Sequence, residues 1–337
     1  MQQLQKLPTR QRKIVFYGLM IGGVVALVLI TVWLIFGAIN SQENRSSIPL
    51  GDGITVREFS QLPDDDAYPA AVSAGNGVIV TGSYQTGVLW TIDENGTATE
   101  IPGTRDAIGA VAGLAVAPDN TIYIVDQLDS DPRTGGGDVK RLSPEGEIDT
   151  LPAIPDEQGF VAPDDIMVDP AGNIYVSDRG RDEVWRFRNG EAVLWWKSPT
   201  VEGADTYAPT GLAYDASTDT ILITDSSLDA IYRVSLDGTT TEVLYQHGNR
   251  PNTPTLDGIT VMPDGTIYVA ALGQDGIARL DNGELTYIAG LFRGPSDVDY
   301  NPADGNLYVT NFDSGSLVVP GLSPRLPFTI DQIGLGG

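Results

Sequence analysis

The chain has 337 residues, with 45 acids against 20 basic residues and no cysteine. Disulfides, thiolate metal sites and cysteine nucleophiles are therefore excluded, and stability must come from packing. So acidic a surface repels nucleic acid, which excludes that partner, and concentrates cations.

In chain order, residues 1–13 form a basic tail carrying Lys6, Arg10, Arg12 and Lys13, all before the first acid, Glu43. Ile14 to Ile39 follows without a charge. As a helix, 26 residues at ~1.5 Å each span about 39 Å, enough to cross a hydrocarbon core of about 30 Å with some tilt. A cleaved signal peptide has a shorter apolar core, so a transmembrane helix over 14–39 is expected, with the lipid bilayer as its partner. Basic residues before the span and acids after it put the N-terminus in the cytoplasm and the rest outside. Residues 40–53, polar with Pro and Gly, read as a linker. Sequons at Asn44 and Asn95 matter only in a host that glycosylates exported proteins.

From Ile54 onward one phrase recurs. "DPAGNIYVSD" (Asp169–Asp178) has sisters in "APDNTIYIVD", "DASTDTILITD", "MPDGTIYVAA" and "NPADGNLYVTN", with a degenerate copy in "SAGNGVIVTG". Taking Ile79, Tyr123, Tyr175, Leu222, Tyr268 and Tyr308 as equivalent, the spacings are 44, 52, 47, 46 and 40. A period of this length marks a four-stranded, blade-like repeat. An apolar run before each phrase ("GLAVA", "DIMVD", "GITVM") is the innermost strand, and the phrase itself is the second. "DVKRL", "EVWRF" and "SLVV" (Ser316–Val319) are third strands, while "AVLWW" and "TEVLY" are fourth strands. The fold class expected is all-β, a six-bladed propeller over 54–330 preceded by one transmembrane helix, with a tail at 331–337. "ITVREF" (Ile54–Phe59) and the C-terminal stretch Leu326–Ile330 compete to close the last blade.

The phrase "LDGITVMPDGTIYVAALGQDGIARL" (Leu256–Leu280) carries the closest likeness to known repeats. It resembles the six-bladed propellers of the NHL-repeat group and the senescence-marker/gluconolactonase-like (strictosidine-synthase-like) superfamily. The resemblance implies the fold over about residues 54–330. It is weaker on function, because such propellers host hydrolases, ligand binders and interaction modules.

In a four-stranded meander, the starts of the innermost strands, the ends of the second strands and the inter-blade loops surround one mouth of the channel. The "PAGN"-type turns surround the other. The channel-facing start position, five residues before each turn phrase's first residue, holds Ala112, Asp164, Thr210, Asp257 and Ser296. Blade one offers Tyr68 or Ala70. In the gluconolactonase-like family these positions supply Asn, Asp and Glu ligands to a central divalent metal, often calcium. The resemblance thus implies a Ca²⁺ site on Asp164 and Asp257, with Thr210 and Ser296 as further oxygens, although no Glu stands in the first blade. The other reading is two solvated acids at a channel mouth.

Asp126, Asp178, Asp225 and Asn311 share one repeat position, and Asp169, Asp215 and Asn301 another, as expected of residues that bond turn backbone. His247, the only histidine, precedes Asp257 in a loop of the same mouth and is the candidate general base for water attack on a lactone carbonyl. Tyr68, Tyr207 and Arg250 are candidate ligand-binding residues.

Two functions follow. The first is a membrane-anchored extracytoplasmic propeller that binds a small molecule or a membrane-protein partner, as an accessory subunit. The second is a calcium-dependent lactonase or ester hydrolase.

Overall fold

A computed structural model describes residues 9–40, 46–75, 77–131, 134–201, 206–248 and 250–336. Lys6, the Asn44 sequon and residues 41–45 of the expected linker lie outside them. Thr9–Asn40 is one helix, and its stretch Phe16–Leu34, with mean hydropathy 2.3, is long and apolar enough to cross a membrane. Residues 46–314 and 325–337 form a compact unit of their own.

That unit is a six-bladed propeller of antiparallel sheets. Blade one is built from Pro69–Ser73, Ile79–Ser83, Leu89–Ile92 and Ala98–Glu100. The innermost strands of blades two to six are Ala110–Val116, Pro163–Val168, Pro209–Asp215, Leu256–Val261 and Val298–Asn301. Each runs into the "IYV" strand through the Pro/Asp/Gly turn read from the sequence. The hairpins show the expected chemistry. Asn189–Gly190 and Asn282–Gly283 are two-residue turns with positive φ at both positions, closed by the pairs Arg188↔Glu191 and Asp281↔Glu284. Asn-Gly suits this turn because both residues tolerate the left-handed region.

Alternation along the strands sends one side chain in two toward a neighbouring blade, so the core is a set of layers between blades. Between blades three and four, Tyr175 meets Trp195 edge to face with ring centroids 4.9 Å apart. The Trp195 indole donates to Leu236 O, and that of Trp196 donates to Thr241 Oγ1. The indoles thereby bury apolar area without orphaning their N–H groups.

The last blade closes differently from expectation. Ser316–Val319 is not its third strand, since Gly315–Val318 is a helical turn. The third strand is Thr329–Leu335 and the fourth is Ile54–Gln61, so both competing segments are used, side by side. The propeller therefore takes in most of the expected 331–337 tail. It also reaches back into the linker, where Ile48–Pro49 pairs with Ala289 and Gly290 of blade five. A strand of seven residues outlasts the short "SLVV" run and gives Ile54–Gln61 a full-length partner.

If this pairing closes the ring, a chain lacking residues 46–61 exposes the Thr329–Leu335 edge. Its thermal unfolding midpoint should fall well below that of the full chain. A synthetic peptide of residues 46–61 added in trans should restore part of the loss, as followed by circular dichroism.

Candidate functional site at the channel mouth

The innermost strand of a propeller has a partner on one edge only, and its other edge faces the channel. Buried N–H groups there must find acceptors, and side chains of adjoining blades supply them. Asp165 Oδ2 accepts from Leu212 N at 2.7 Å, Asp297 Oδ2 from Val72 N at 2.8 Å and Asp299 Oδ2 from Ala74 N at 2.7 Å. Their second oxygens accept from Ile166 N, Val298 N and Tyr300 N. The spacing at this layer is tight: a Cβ on Gly258 would lie 2.1 Å from Asp297 Oδ1, and one on Gly211 would lie 2.4 Å from Asp257 O. The same three carboxylates, with apolar residues that include Leu114, Ile166, Leu212 and Ile259, line a cavity of about 420 Å³ that opens toward the turn mouth.

Hydroxyl groups continue the same ties. Ser177 Oγ accepts from Asp165 N and donates to Thr210 O of the next blade, and Thr224 Oγ1 accepts from Gly211 N and donates to Asp257 O. Thr210 and Ser296 belong to this system. Thr210 Oγ1 is 3.1 Å from Leu256 O, and Ser296 Oγ is 2.7 Å from Ala70 O. At 2% and 6% exposure, both residues are buried, and each hydroxyl proton is given to a carbonyl of a neighbouring blade.

The loop mouth keeps Asp164 and Asp257 together. Burial and the nearby Asp164 charge hold the Asp257 carboxyl well above the usual carboxylate range, opposed by Arg179. Arg179 is a residue that the sequence reading passed over. It follows Asp178 at the end of blade three's second strand, and its Nε lies 3.3 Å from Asp164 Oδ1. Asp164, Asp257 and Tyr84 all raise the guanidinium pKa, Asp164 most. Tyr84 and Gln127 hold the equivalent position in blades one and two. The Tyr84 hydroxyl donates to Gln127 Oε1 at 2.7 Å, and Gln127 Nε2 donates to Pro163 O at 2.8 Å.

The fit to a divalent metal is poor. Calcium asks for six to eight oxygens. The strand-start ring offers two carboxylates, one already paired with a guanidinium. Among the described residues no three His, Cys, Asp or Glu side chains converge as ligands.

The remaining candidates have partners of their own. The His247 ring bonds Tyr245 Oη at 2.9 Å through Nδ1 and the Arg250 carbonyl at 3.2 Å through Nε2. Arg250 pairs with Glu284 of blade five's fourth strand. Tyr207 closes its own loop by accepting from Val201 N, and Tyr68 packs on Phe328 with centroids 4.5 Å apart. The recurrent acids do bond backbone. Asp178 accepts from Val161 N, Ala162 N and Gly180 N, Asp225 from Ala208 N, Ser227 N and Leu228 N, and Asp169 from Ala171 N and Asn173 N.

The channel carboxylates carry a pH signature. Burial pushes Asp165 up to about 7 against the pull of the Leu212 and Ile166 N–H groups, and it raises Asp297 and Asp299 as well. The folded state then holds protons that the unfolded chain releases above an ordinary carboxylate pKa of about 4. Their contribution to stability is greatest below that value and is lost as pH rises to about 7. The denaturant midpoint should fall across this window, and the fall should be shallower in Asp165→Ala.

Comparison with solved structures gives the same architecture. A gluconolactonase from Xanthomonas campestris is 15% identical, with a TM-score of 0.58 over 88% of this chain and 99% of its own. A luciferin-regenerating enzyme is 14% identical, with a TM-score of 0.61 over 84% and 96%. Virginiamycin B lyase from Staphylococcus aureus is 16% identical, with a TM-score of 0.57 over 84% and 99%. At these identities the likeness concerns the fold. No curated protein sequence matches the chain. Residues 84–312, from Tyr84 at the mouth to Phe312 after the last second strand, match the SMP-30/Gluconolactonase/LRE-like region. The chain belongs to that gluconolactonase-like propeller family.

Proposed function

We propose that the protein is a membrane-tethered propeller that binds a small, oxygen-rich ligand at its loop mouth without metal-dependent chemistry. The observation that carries this reading is the Arg179–Asp164 ion pair. It puts a guanidinium, rather than more oxygen donors, beside the carboxylate pair. Nε is committed to Asp164, while among the described residues the two Nη groups have no hydrogen-bond partner. A guanidinium fork of this kind suits a carbonyl or hydroxyl oxygen, and Asp257, with its raised pKa, is a second polar contact for such a ligand.

The tether is the helix containing Phe16–Leu34. Basic residues precede it and the acidic propeller follows, an order that favours a cytoplasmic N-terminus and an extracytoplasmic propeller. Protease added to intact spheroplasts should degrade the propeller; full protection there, with degradation after lysis, would reverse the orientation.

The second reading, a calcium-dependent lactonase, is favoured by family membership and by the two aspartates at the strand-start positions. The full chain in detergent, assayed against lactones and simple esters with and without calcium, should show no turnover. Thermal-shift screening of the same compounds should find a ligand whose effect weakens at least tenfold in Arg179→Ala. Calcium-dependent lactone turnover that disappears in Asp257→Asn would instead establish the hydrolase.

A further inference from the structure

Asp164 and Asp257 share the loop mouth, where the Asp164 charge adds to the cost of charging Asp257. Carboxylates held close in a desolvated mouth need a counter-charge. In so acidic a protein the surrounding field draws cations from solution, and a divalent ion is the obvious occupant. The sequence supplies a cation of its own at the same place. Of the six residues that share the position of Arg179 at the exits of the second strands, Tyr84, Gln127, Arg179, Ser226, Leu272 and Phe312, only Arg179 is charged.

We infer that Arg179 is the resident cation of the loop mouth: its guanidinium takes the place of a divalent metal between Asp164 and Asp257, and removing its charge unmasks a divalent-cation site on those two carboxylates. The geometry agrees. The guanidinium lies 3.3 Å from Asp164 by Nε, and Asp164 and Asp257 both stabilise its charge. Its side chain is 42% exposed and that of Asp164 is 17% exposed, so the pair lies where a solvated ion would arrive. An arginine stays charged across the accessible pH range. A doubly charged ion approaching the two aspartates therefore meets fixed repulsion as well as a donor set already in use. Thr210 and Ser296 already tie neighbouring blades through Leu256 O and Ala70 O. The inference rests on the proposed reading only in placing function at this mouth.

The test uses calcium alone as probe, on the full chain in detergent, by calorimetric titration and by the unfolding midpoint across micromolar to millimolar calcium. Wild type and Arg179→Lys, which keeps the charge, should show no calcium-dependent rise. Arg179→Gln should bind calcium at least tenfold more tightly than wild type, with a midpoint that climbs by mass action. The added change Asp164→Asn should abolish both effects. A wild-type calcium site lost in Asp164→Asn would overturn the inference, as would a folded Arg179→Gln that ignores calcium. If Arg179→Gln folds only with calcium, that rescue supports the inference. If it does not fold at all, the wild-type titration decides, with no Asp164-dependent site supporting the inference and such a site refuting it. Failure to find an organic ligand would sink the proposed function and leave these calcium outcomes unchanged.

Discussion

Everything at the centre of this propeller depends on one need: the channel-side N–H groups of the innermost strands have no strand to bond. A closed ring of sheets removes long outer edges but leaves these short inner ones. Here side chains meet many of them, several from an adjoining blade. Asp165 reaches Leu212 N, and Asp297 and Asp299 of the last blade reach Val72 N and Ala74 N of the first. The seam between last and first blades, where no continuous chain crosses between the innermost strands, thus receives two of these carboxylates. Leaving such an N–H unpaired would cost about 1–3 kcal/mol, and ionising the carboxylates that prevent it is itself made costly by burial.

The same need shapes the mouth. Hydroxyls that a sequence reading offers to a metal, Thr210 and Ser296, are consumed in tying blade to blade. What remains for chemistry is two aspartates and the guanidinium that one of them holds. Family membership describes the scaffold. The side chains at the loop mouth decide what this chain can do there, which is why the proposed function starts from Arg179 and not from the family.

Much of this was legible in the repeats. Six copies of one phrase, with turn residues at constant offsets, placed the innermost, second and most outer strands. Asp178 and Asp225 read correctly as backbone-bonding residues because a residue repeated at one position serves the repeat. The last blade misled, since Ser316–Val319 has the apolar look of a strand while its true third strand lies beyond it, at Thr329–Leu335. Arg179 was overlooked for a different reason. It stands one residue past a motif position, and its meaning appears only when the six second-strand ends are compared as a ring. Asp165 and Asp297 were hidden by their neighbours: Asp164 drew attention as the strand-start acid, and Ser296 as the strand-start hydroxyl. His247 is near the mouth in sequence, but its partners Tyr245 and Arg250 engage both ring nitrogens.

The way the ring closes also has a mechanical side. Ile54–Gln61 is the outermost strand of its blade and the first long strand of the chain. Before it comes Ile48–Pro49, bonded to a different blade at Ala289 and Gly290. A pull on the chain ahead of Ile48 must first strip this two-residue clasp from blade five before it can peel the closing strand from blade six. The clasp thus acts as a strain relief, keeping tugs on the preceding chain away from the seam that holds the channel shut.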